Sequence, residues 1–268
     1  MDEVDFVNFI LIIVLLFFLL FIVSAPFIVA YNLFVWLKDS FFPPKIDNKK
    51  RQILSNNCNF YSRLDSSEKE RFESRVMLFL KEVNFSSRKM LLNNEIKLTV
   101  AGVAVSLTFG LYDWNYPLLK RVIIYPSTYF SKITKNKHKG EYNPSFKLIV
   151  FSWKDFKHGI KYESDNLNLG LHEFTHALYF SFLKSDSNDA IRFIENFNQI
   201  LYHLKDENLK KQLLEAKYFR DYAFKNKYEF IAVLIEHFFE TPEEFKAKFP
   251  YIYENLMVML NQNPLQLK

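Results

Sequence analysis

The segment His172-Glu173-Phe174-Thr175-His176 carries the side chains of this sequence that are best suited to metal chemistry. Two histidines four positions apart lie on the same face of a helix, so both imidazole rings can bind one metal ion. Glu173 is turned by about 100° around the helix from His172. That is too far for a third ligand, but it suits a general base acting on a water bound to the metal. The spacing therefore predicts one Zn²⁺ ion held by His172 and His176, with Glu173 as a catalytic residue.

A catalytic zinc site also needs a third protein ligand and an open fourth position for water. The predicted helix Tyr228–Phe239 supplies two candidates, Glu229 and Glu236, which are seven positions apart and share one face. A carboxylate on an otherwise apolar face is costly to bury unless it meets a partner such as a metal. Glu229, near the start of the helix, can instead complement the helix dipole. The pattern alone does not separate the two glutamates.

The histidine pair lies in a predicted helix, Leu167–Leu183, with Asn166 as its N-cap. A strand within Phe146–Trp153 precedes this helix, and we expect it to offer an edge to which an extended peptide can add. Another short strand is predicted at Val122–Tyr125. The remaining predicted helices are one after the capping box Asp65–Glu68, Glu95–Phe109 after a cap at Asn94 (its valines and threonines also fit a strand), Asp189–Leu204, Glu207–Ala216 and one after Pro250. This mixture predicts an α+β fold that is mostly helical with a small sheet.

An apolar run without charge covers Phe6–Leu37, and about 20 apolar residues suffice to cross a bilayer as a helix. The part from Phe6 to about Phe27 can span, with Pro26 marking a kink or an end. A cleaved signal peptide fits less well, because the residues before the run are acidic and the run is too long. Lysine and arginine follow the run but do not precede it, so the positive-inside rule places the C-terminal part in the cytoplasm. We therefore predict a single-pass protein of the inner cell membrane.

The composition narrows the function classes further. Of 268 residues only 5 are glycine and 1 is cysteine, which argues against a glycine-rich phosphate loop, an internal disulfide and a cysteine-based zinc knuckle. The net charge of +5 is modest, so no nucleic-acid partner is predicted. The basic stretch 132–139 fits a solvated loop better than a phosphate-binding patch. We expect a membrane anchor at residues 1–37, a juxtamembrane linker at 38–59 that includes Pro43 and Pro44, and a zinc metallopeptidase domain at 60–268.

Four stretches of the chain resemble the MtfA-type zinc peptidases, the Mlc titration factor A family. They are Leu111–Pro126, Leu148–Phe156, Asn168–His176 and Tyr228–Phe249, within a region of similarity from about Phe60 to Pro264. The last of them is the most specific, since HExxH motifs are widely shared. The resemblance implies a compact, mostly helical, zincin-like metallopeptidase domain. It also implies that Glu229 is the third zinc ligand with Glu236 behind the ligands, and that Tyr222 assists catalysis.

The sequence departs from this family in one place near the motif, because Tyr179 stands where its members usually carry aspartate. The well-known members are also soluble, whereas this chain carries an apolar N-terminal run. The motif and the resemblance together predict a membrane-anchored zinc peptidase that hydrolyses a peptide or protein substrate with a zinc-activated water and Glu173 as general base. The alternative, which Tyr179 favours, is a catalytically weak, zinc-stabilised regulatory module that binds a protein such as a transcriptional repressor. An intramembrane protease fits poorly, since polar residues flank the motif helix.

Overall fold

The structure is a computed structural model that describes residues 3–41, 45–131 and 134–266. The chain divides into two units, Met1–Lys45 and Ile46–Lys268. The first unit holds one helix, and the second holds the remaining helices and strands together with the residues singled out for metal chemistry.

The first unit consists of helix α1, Glu3–Phe41. Within it, Ile10–Tyr31 is long and apolar enough to cross a membrane by length and composition, with a mean hydropathy of 3.1. Pro26 lies inside α1, so the helix continues past the point where the sequence predicted a kink or an end.

The predicted juxtamembrane linker at 38–59 is in large part helical. Helix α1 runs on through Phe41, while Pro43 and Pro44 lie outside the described residues. Asn48–Asn57 then form helix α2, whose first turn is capped by Asp47. Leu54 on α2 is fully buried, and α2 packs against helix α5. Ile46 and Leu54 both belong to the hydrophobic core. The globular unit begins at Ile46, within the segment that the sequence predicted as a linker.

The second unit contains eleven helices numbered after α1 and six strands among the described residues. The helices are α2, then α3 Asn59–Ser62, α4 Ser66–Glu82, α5 Asn94–Thr108, α6 Trp153–Lys161, α7 Leu169–Phe182, α8 Asn188–His203, α9 Glu207–Glu215, α10 Lys227–Glu240, α11 Pro242–Lys248 and α12 Pro250–Leu260, with 3-10 turns at Asp221–Lys225 and Pro264–Gln266. The strands are β1 Asn84–Ser87, β2 Arg121–Tyr125, β3 Tyr129–Phe130, β4 Lys137–His138, β5 Gly140–Asn143 and β6 Leu148–Ser152. The fold is mostly helical with a small sheet, as the sequence predicted.

Local signals placed several helix starts correctly. The capping box before α4 is confirmed, since Glu68 N–H donates to Asp65 and Asp65 N–H donates to Glu68. Helix α5 begins one residue earlier than predicted, with Asn93 as its cap. It is a helix and not a strand, and residues around its whole circumference are buried. Complete burial explains why its composition carries no clear helical period.

Four strands form the main sheet in the order β1-β2-β6-β5. Strand β2 pairs in parallel with β1 and β6, whereas β5 pairs antiparallel with β6. The predicted strand within Phe146–Trp153 is confirmed as β6, but the expectation that it offers an edge is wrong. Strand β6 pairs with β2 on one side and with β5 on the other, so the edge of the sheet belongs to β5.

Helix α7 packs between α5 and α10 and also contacts strands β5 and β6. Phe174, which lies between the two histidines in sequence, points into the core. Its ring centroid lies 5.9 Å from that of Phe79, 5.5 Å from Tyr116 and 5.7 Å from Phe151. These ring contacts hold the helix by its apolar face and leave its other face for the histidines.

Candidate metal centre

Helix α7 carries both histidines, and its first turn is capped by Asn168 instead of the predicted Asn166. The side-chain oxygen of Asn168 accepts a hydrogen bond from the N–H of Leu171. Asn166 has a φ of 56°, a left-handed conformation that asparagine tolerates better than most residues. The helix therefore begins at Leu169, two residues later than the sequence predicted.

The imidazoles of His172 and His176 converge with the carboxylate of Glu229. The Oε2 atom of Glu229 lies 2.9 Å from His172 Nε2 and 3.5 Å from His176 Nε2. The ligand atoms of the three residues all lie within 4.8 Å of one another. Ligand atoms about 2.0–2.1 Å from a tetrahedral zinc ion are about 3.3 Å apart. The donor set therefore fits one such ion after small shifts of the side chains.

Hydrogen bonds within this cluster shift the pKa values of His172 and Glu229. Burial by itself would lower the pKa of His172, but hydrogen bonds to Glu229 and Glu236 outweigh it and raise the pKa to about 10. Burial would raise the pKa of Glu229, but the hydrogen bonds from His172 and His176 hold that pKa well below its usual range. His172 and Glu229 thus form an ion pair, and a metal cation bound by this donor set would take the place of the proton on His172.

Glu236 lies on the other side of the His172 ring. Its Oε1 atom is 2.6 Å from His172 Nδ1, which leaves Nε2 of the ring directed at Glu229. Arg220 donates hydrogen bonds to both carboxylate oxygens of Glu236, at 2.9 Å and 2.6 Å, and another to the carbonyl oxygen of Asn166. The side chain of Glu236 is 1% exposed, and the guanidinium of Arg220 helps to neutralise its buried charge.

Sequence reasoning missed Arg220 altogether. It belongs to no motif, and it precedes Glu236 by 16 residues across the turn before α10. The buried carboxylate of Glu236 was the available signal, since such a group needs a cation or a metal as its partner.

Replacing Arg220 with glutamine is expected to destabilise the metal-free protein by about 3 kcal/mol, because it removes the guanidinium that pairs with the buried carboxylate of Glu236. The double variant Arg220→Gln/Glu236→Gln should recover most of this loss. Chemical unfolding of the purified full-length chain in detergent measures both. Arg88→Gln, at an exposed position, serves as the control and should change stability by less than about 0.5 kcal/mol. Equal losses in the single and double variants would contradict the pairing of Arg220 with Glu236.

The carboxyl of Glu173 lies against strand β5, and it is close enough to His172, His176 and Glu229 for their charges to influence its pKa. A methyl group at Gly140 would lie 2.7 Å from Glu173 Oε1, so only glycine lets the strand approach this carboxyl so closely. Burial raises the pKa of Glu173, although the charges of His176 and His172 and the backbone N–H of Tyr142 partly oppose the shift. A carboxyl group whose pKa is shifted towards neutrality can both accept and return a proton.

Tyr222 lies in the 3-10 turn just before α10. Its ring centroid is 5.9 Å from that of His172, and its side chain is 45% exposed. Burial and the nearby carboxylate of Glu229 raise the pKa of Tyr222. The hydroxyl therefore keeps its proton over the physiological range and can donate a hydrogen bond.

A cleft of about 500 Å³ opens beside these residues. The basic stretch that the sequence analysis took for a solvated loop contributes to it, although Lys132 lies outside the described residues. Lys139 pairs with Asp155 at 3.1 Å, while Lys137 makes no ion pair with a described residue. The cleft is lined by Lys137, His138, Lys139, Gly140, Asp155, His158, Leu167, Leu169, His172, Glu173, Arg220, Tyr222 and Glu236.

Tyr179, the departure noted in the sequence, points into the core and not towards the cleft. It is 4% exposed, and its ring centroid lies 5.8 Å from that of Phe197 and 5.4 Å from that of Tyr228. The tyrosine therefore packs in an aromatic cluster between α7, α8 and α10.

Comparison with known proteins gives one family model, described as "Glucose-regulated metallo-peptidase M90", that matches residues 36–260. An uncharacterized protein of Synechocystis sp. is 24% identical over 253 residues, which cover 86% of this chain and 90% of that protein. Proteins named Mlc titration factor A from Yersinia pestis and Yersinia pseudotuberculosis are each 30% identical over 125 residues. Those matches cover 44% of this chain and 45% of the relatives, so the chain matches less than half the length of the relatives with that name.

Proposed function

The chain belongs to the glucose-regulated metallo-peptidase M90 family and is similar to Mlc titration factor A, and from this premise we propose that it is a membrane-anchored, zinc-dependent peptidase. One observation carries the proposal: the ligand atoms of His172, His176 and Glu229 lie within 4.8 Å of one another. The carboxyl of Glu173 is close enough for the charges of these residues to influence its pKa. The family implies a metal, and two imidazoles with one carboxylate are ligands that suit zinc. A zincin-like active site is the arrangement that these residues support best.

His172, His176 and Glu229 are the residues that would hold the ion. Zinc bound there would supply Lewis-acid chemistry, lowering the pKa of a water molecule and polarising the peptide carbonyl. Glu173 accepts a proton from the attacking water and returns it to the amine that leaves. The hydroxyl of Tyr222 donates a hydrogen bond to the oxygen on which negative charge develops. Glu236 and Arg220 keep His172 in the orientation that binds metal.

We place the substrate along strand β5. Strand β5 is the edge of the sheet beyond β6, and the carboxyl of Glu173 lies close to it at Gly140, so a peptide strand added there would bring its scissile bond near this carboxyl. An extended peptide that pairs with a strand edge gains main-chain hydrogen bonds whatever its side chains are.

The anchor in this proposal is the apolar part of α1, Ile10–Tyr31. Lys38, Lys45 and the basic start of α2 follow it, and lysine and arginine are absent before it. The positive-inside rule then orients the peptidase domain, which we take to start near Ile46, towards the cytoplasm.

The decisive experiment joins metal analysis to a peptidase screen on the purified full-length chain. We expect about one zinc per chain, loss of peptide hydrolysis after treatment with a chelator, and recovery when zinc is added back. Chelation should remove activity because, in the proposed mechanism, the metal is the group that activates water. Hydrolysis that persists in a chain shown to be free of metal would overturn the proposal.

A regulatory role is the second candidate, and the names of the Yersinia relatives are the observation that favours it. In that case the metal would stabilise a surface that binds a protein partner such as a transcriptional repressor. A variant that lacks hydrolysis but keeps its metal separates the two roles, since only the regulatory role would survive in it.

A further inference from the structure

Gly140 lies where the edge strand β5 comes close to the side chain of Glu173 on α7. A methyl group added at this position would lie 2.6 Å from Leu169 Cδ1, 2.7 Å from Glu173 Oε1 and 2.9 Å from Glu173 Cγ. Non-bonded carbon atoms normally keep about 3.5–4.0 Å apart, so a Cβ atom fits here only if a neighbour moves. Gly140 does not have a positive φ, so its backbone conformation would accept alanine. Space, and not backbone conformation, is therefore what requires glycine at this position.

Aromatic rings in the core fix the spacing between β5 and α7 at this point. Gly140 is paired with Phe151 on β6, and Phe151 is fully buried. The ring centroid of Phe151 lies 5.7 Å from that of Phe174 on α7. The sheet and the helix thus pack through these two rings, and in a close-packed core neither backbone moves easily to make room for a larger residue at position 140.

The neighbours of Gly140 that would have to move are side chains. The three nearest atoms belong to Leu169 and Glu173, and none of them is a backbone atom. At Gly110, by contrast, an added methyl group would meet the backbone of Leu260 and Asn261. A side chain can change its rotamer without disturbing the backbone. Alanine at position 140 should therefore leave the fold intact and displace the carboxyl of Glu173.

We propose that Gly140 is a positioning residue for the general base, an inference that rests on the proposed peptidase function. With only hydrogen atoms on its Cα, Gly140 lets the carboxyl of Glu173 lie against β5, close to the backbone N–H of Tyr142. The edge of β5 is also where we place the peptide. One strand then sets the positions of both the base and the scissile bond, and a side chain at position 140 would disturb their spacing. A misplacement of about 1 Å between reacting groups can cost about 100-fold in rate.

The first test compares the kinetics of Gly140→Ala with those of the wild type, using the purified full-length chain loaded with zinc. We expect kcat on a peptide substrate to fall about 100-fold, with KM and zinc content unchanged. The Tm should change by no more than about 4 °C, since only side chains have to move. An unchanged kcat would overturn the proposal. A much larger fall in Tm would also overturn it, because Gly140 would then be needed for the strand and not for the carboxyl.

Gly102→Ala is the matched control. It makes the same chemical change in α5, where the added methyl group would lie at an ordinary 3.5 Å from atoms of Cys58 and Leu54. Its kcat should equal that of the wild type, and its Tm should be equal or higher because alanine favours a helix over glycine.

The double variant Gly140→Ala/Glu173→Gln shows whether the glycine acts through the base. If it does, the double variant should hydrolyse peptide at the rate of Glu173→Gln alone, because a glutamine that is not a base loses nothing further when it is displaced. Losses that multiply would mean that the methyl group acts through another neighbour, such as Leu169, and would contradict the proposal.

A third readout needs neither metal nor substrate. In the metal-free chain labelled with carbon-13 at the glutamate carboxyls, the NMR signal of Glu173 is the one that Glu173→Gln removes. At constant pH, Gly140→Ala should move this signal and Gly102→Ala should leave it in place. An unmoved signal in Gly140→Ala would overturn the positioning role whatever the peptidase screen gives. A wild-type chain that hydrolyses no peptide would instead refute the proposed function, and a moved signal would still support the effect of Gly140 on Glu173.

Discussion

Replacing Glu173 with glutamine is expected to lower peptide hydrolysis about 1,000-fold, the middle of the range that general acid–base catalysis contributes. Glutamine has the same size and keeps an oxygen near the backbone N–H of Tyr142, but it cannot accept a proton from water. Glu173 is outside the group of three ligand atoms, so zinc content should stay at the wild-type level. Initial rates on a peptide substrate and elemental analysis of the same sample measure both quantities.

Glu195→Gln is the matched control for this experiment, since it makes the same chemical change at an exposed position of α8. Its rate should equal that of the wild type. If the Glu173→Gln chain hydrolyses peptides at an undiminished rate with its zinc in place, Glu173 is not the general base. If it loses hydrolysis but keeps a biological effect, the regulatory role gains the support that the peptidase role loses.

Glu229→Gln is expected to weaken zinc binding by far more than Glu236→Gln does. Glu229 offers its oxygen to the same point as His172 and His176, so its replacement removes a ligand and a negative charge. Glu236 contacts the far nitrogen of His172, and losing such an outer hydrogen bond costs about 10–100-fold in metal affinity. Competition with a chromophoric chelator gives the two dissociation constants.

The ranking of these two variants decides between the ligands that the sequence pattern left open. The reverse order, with the larger loss in Glu236→Gln, would mean that the cluster reorganises around Glu236 when metal binds. Both variants should be measured above pH 7 as well as at pH 6, because a proton competes with metal for this site. The raised pKa of His172 means that protons are bound more readily as pH falls, so zinc affinity should fall with it.

Much of the fold followed from signals that lie close together in the chain. The capping box at Asp65 and the apolar run of α1 depend only on neighbouring residues, and the structure contains both a capped α4 and a long apolar helix. The cap of α7 was displaced from Asn166 to Asn168, since two asparagines two positions apart offer the same local chemistry. The segment predicted as a linker contains helix α2, which local sequence does not indicate because the helix packs its buried Leu54 against α5, far away in sequence.

The candidate site likewise depends in part on local sequence and in part on tertiary packing. The sequence by itself determined that His172 and His176 share a helix face with Glu173 beside them, because the helical repeat is a local property of the backbone. It did not determine which glutamate meets them, since Glu229 and Glu236 are separated by about 10 Å along α10 at 1.5 Å per residue and look alike on a helical wheel. The axial offset between α7 and α10 decides which nitrogen of His172 each glutamate reaches. Contacts 57 and 64 residues apart set that offset, together with the edge position of β5 and the pairing of Arg220, and no local pattern encodes such distances.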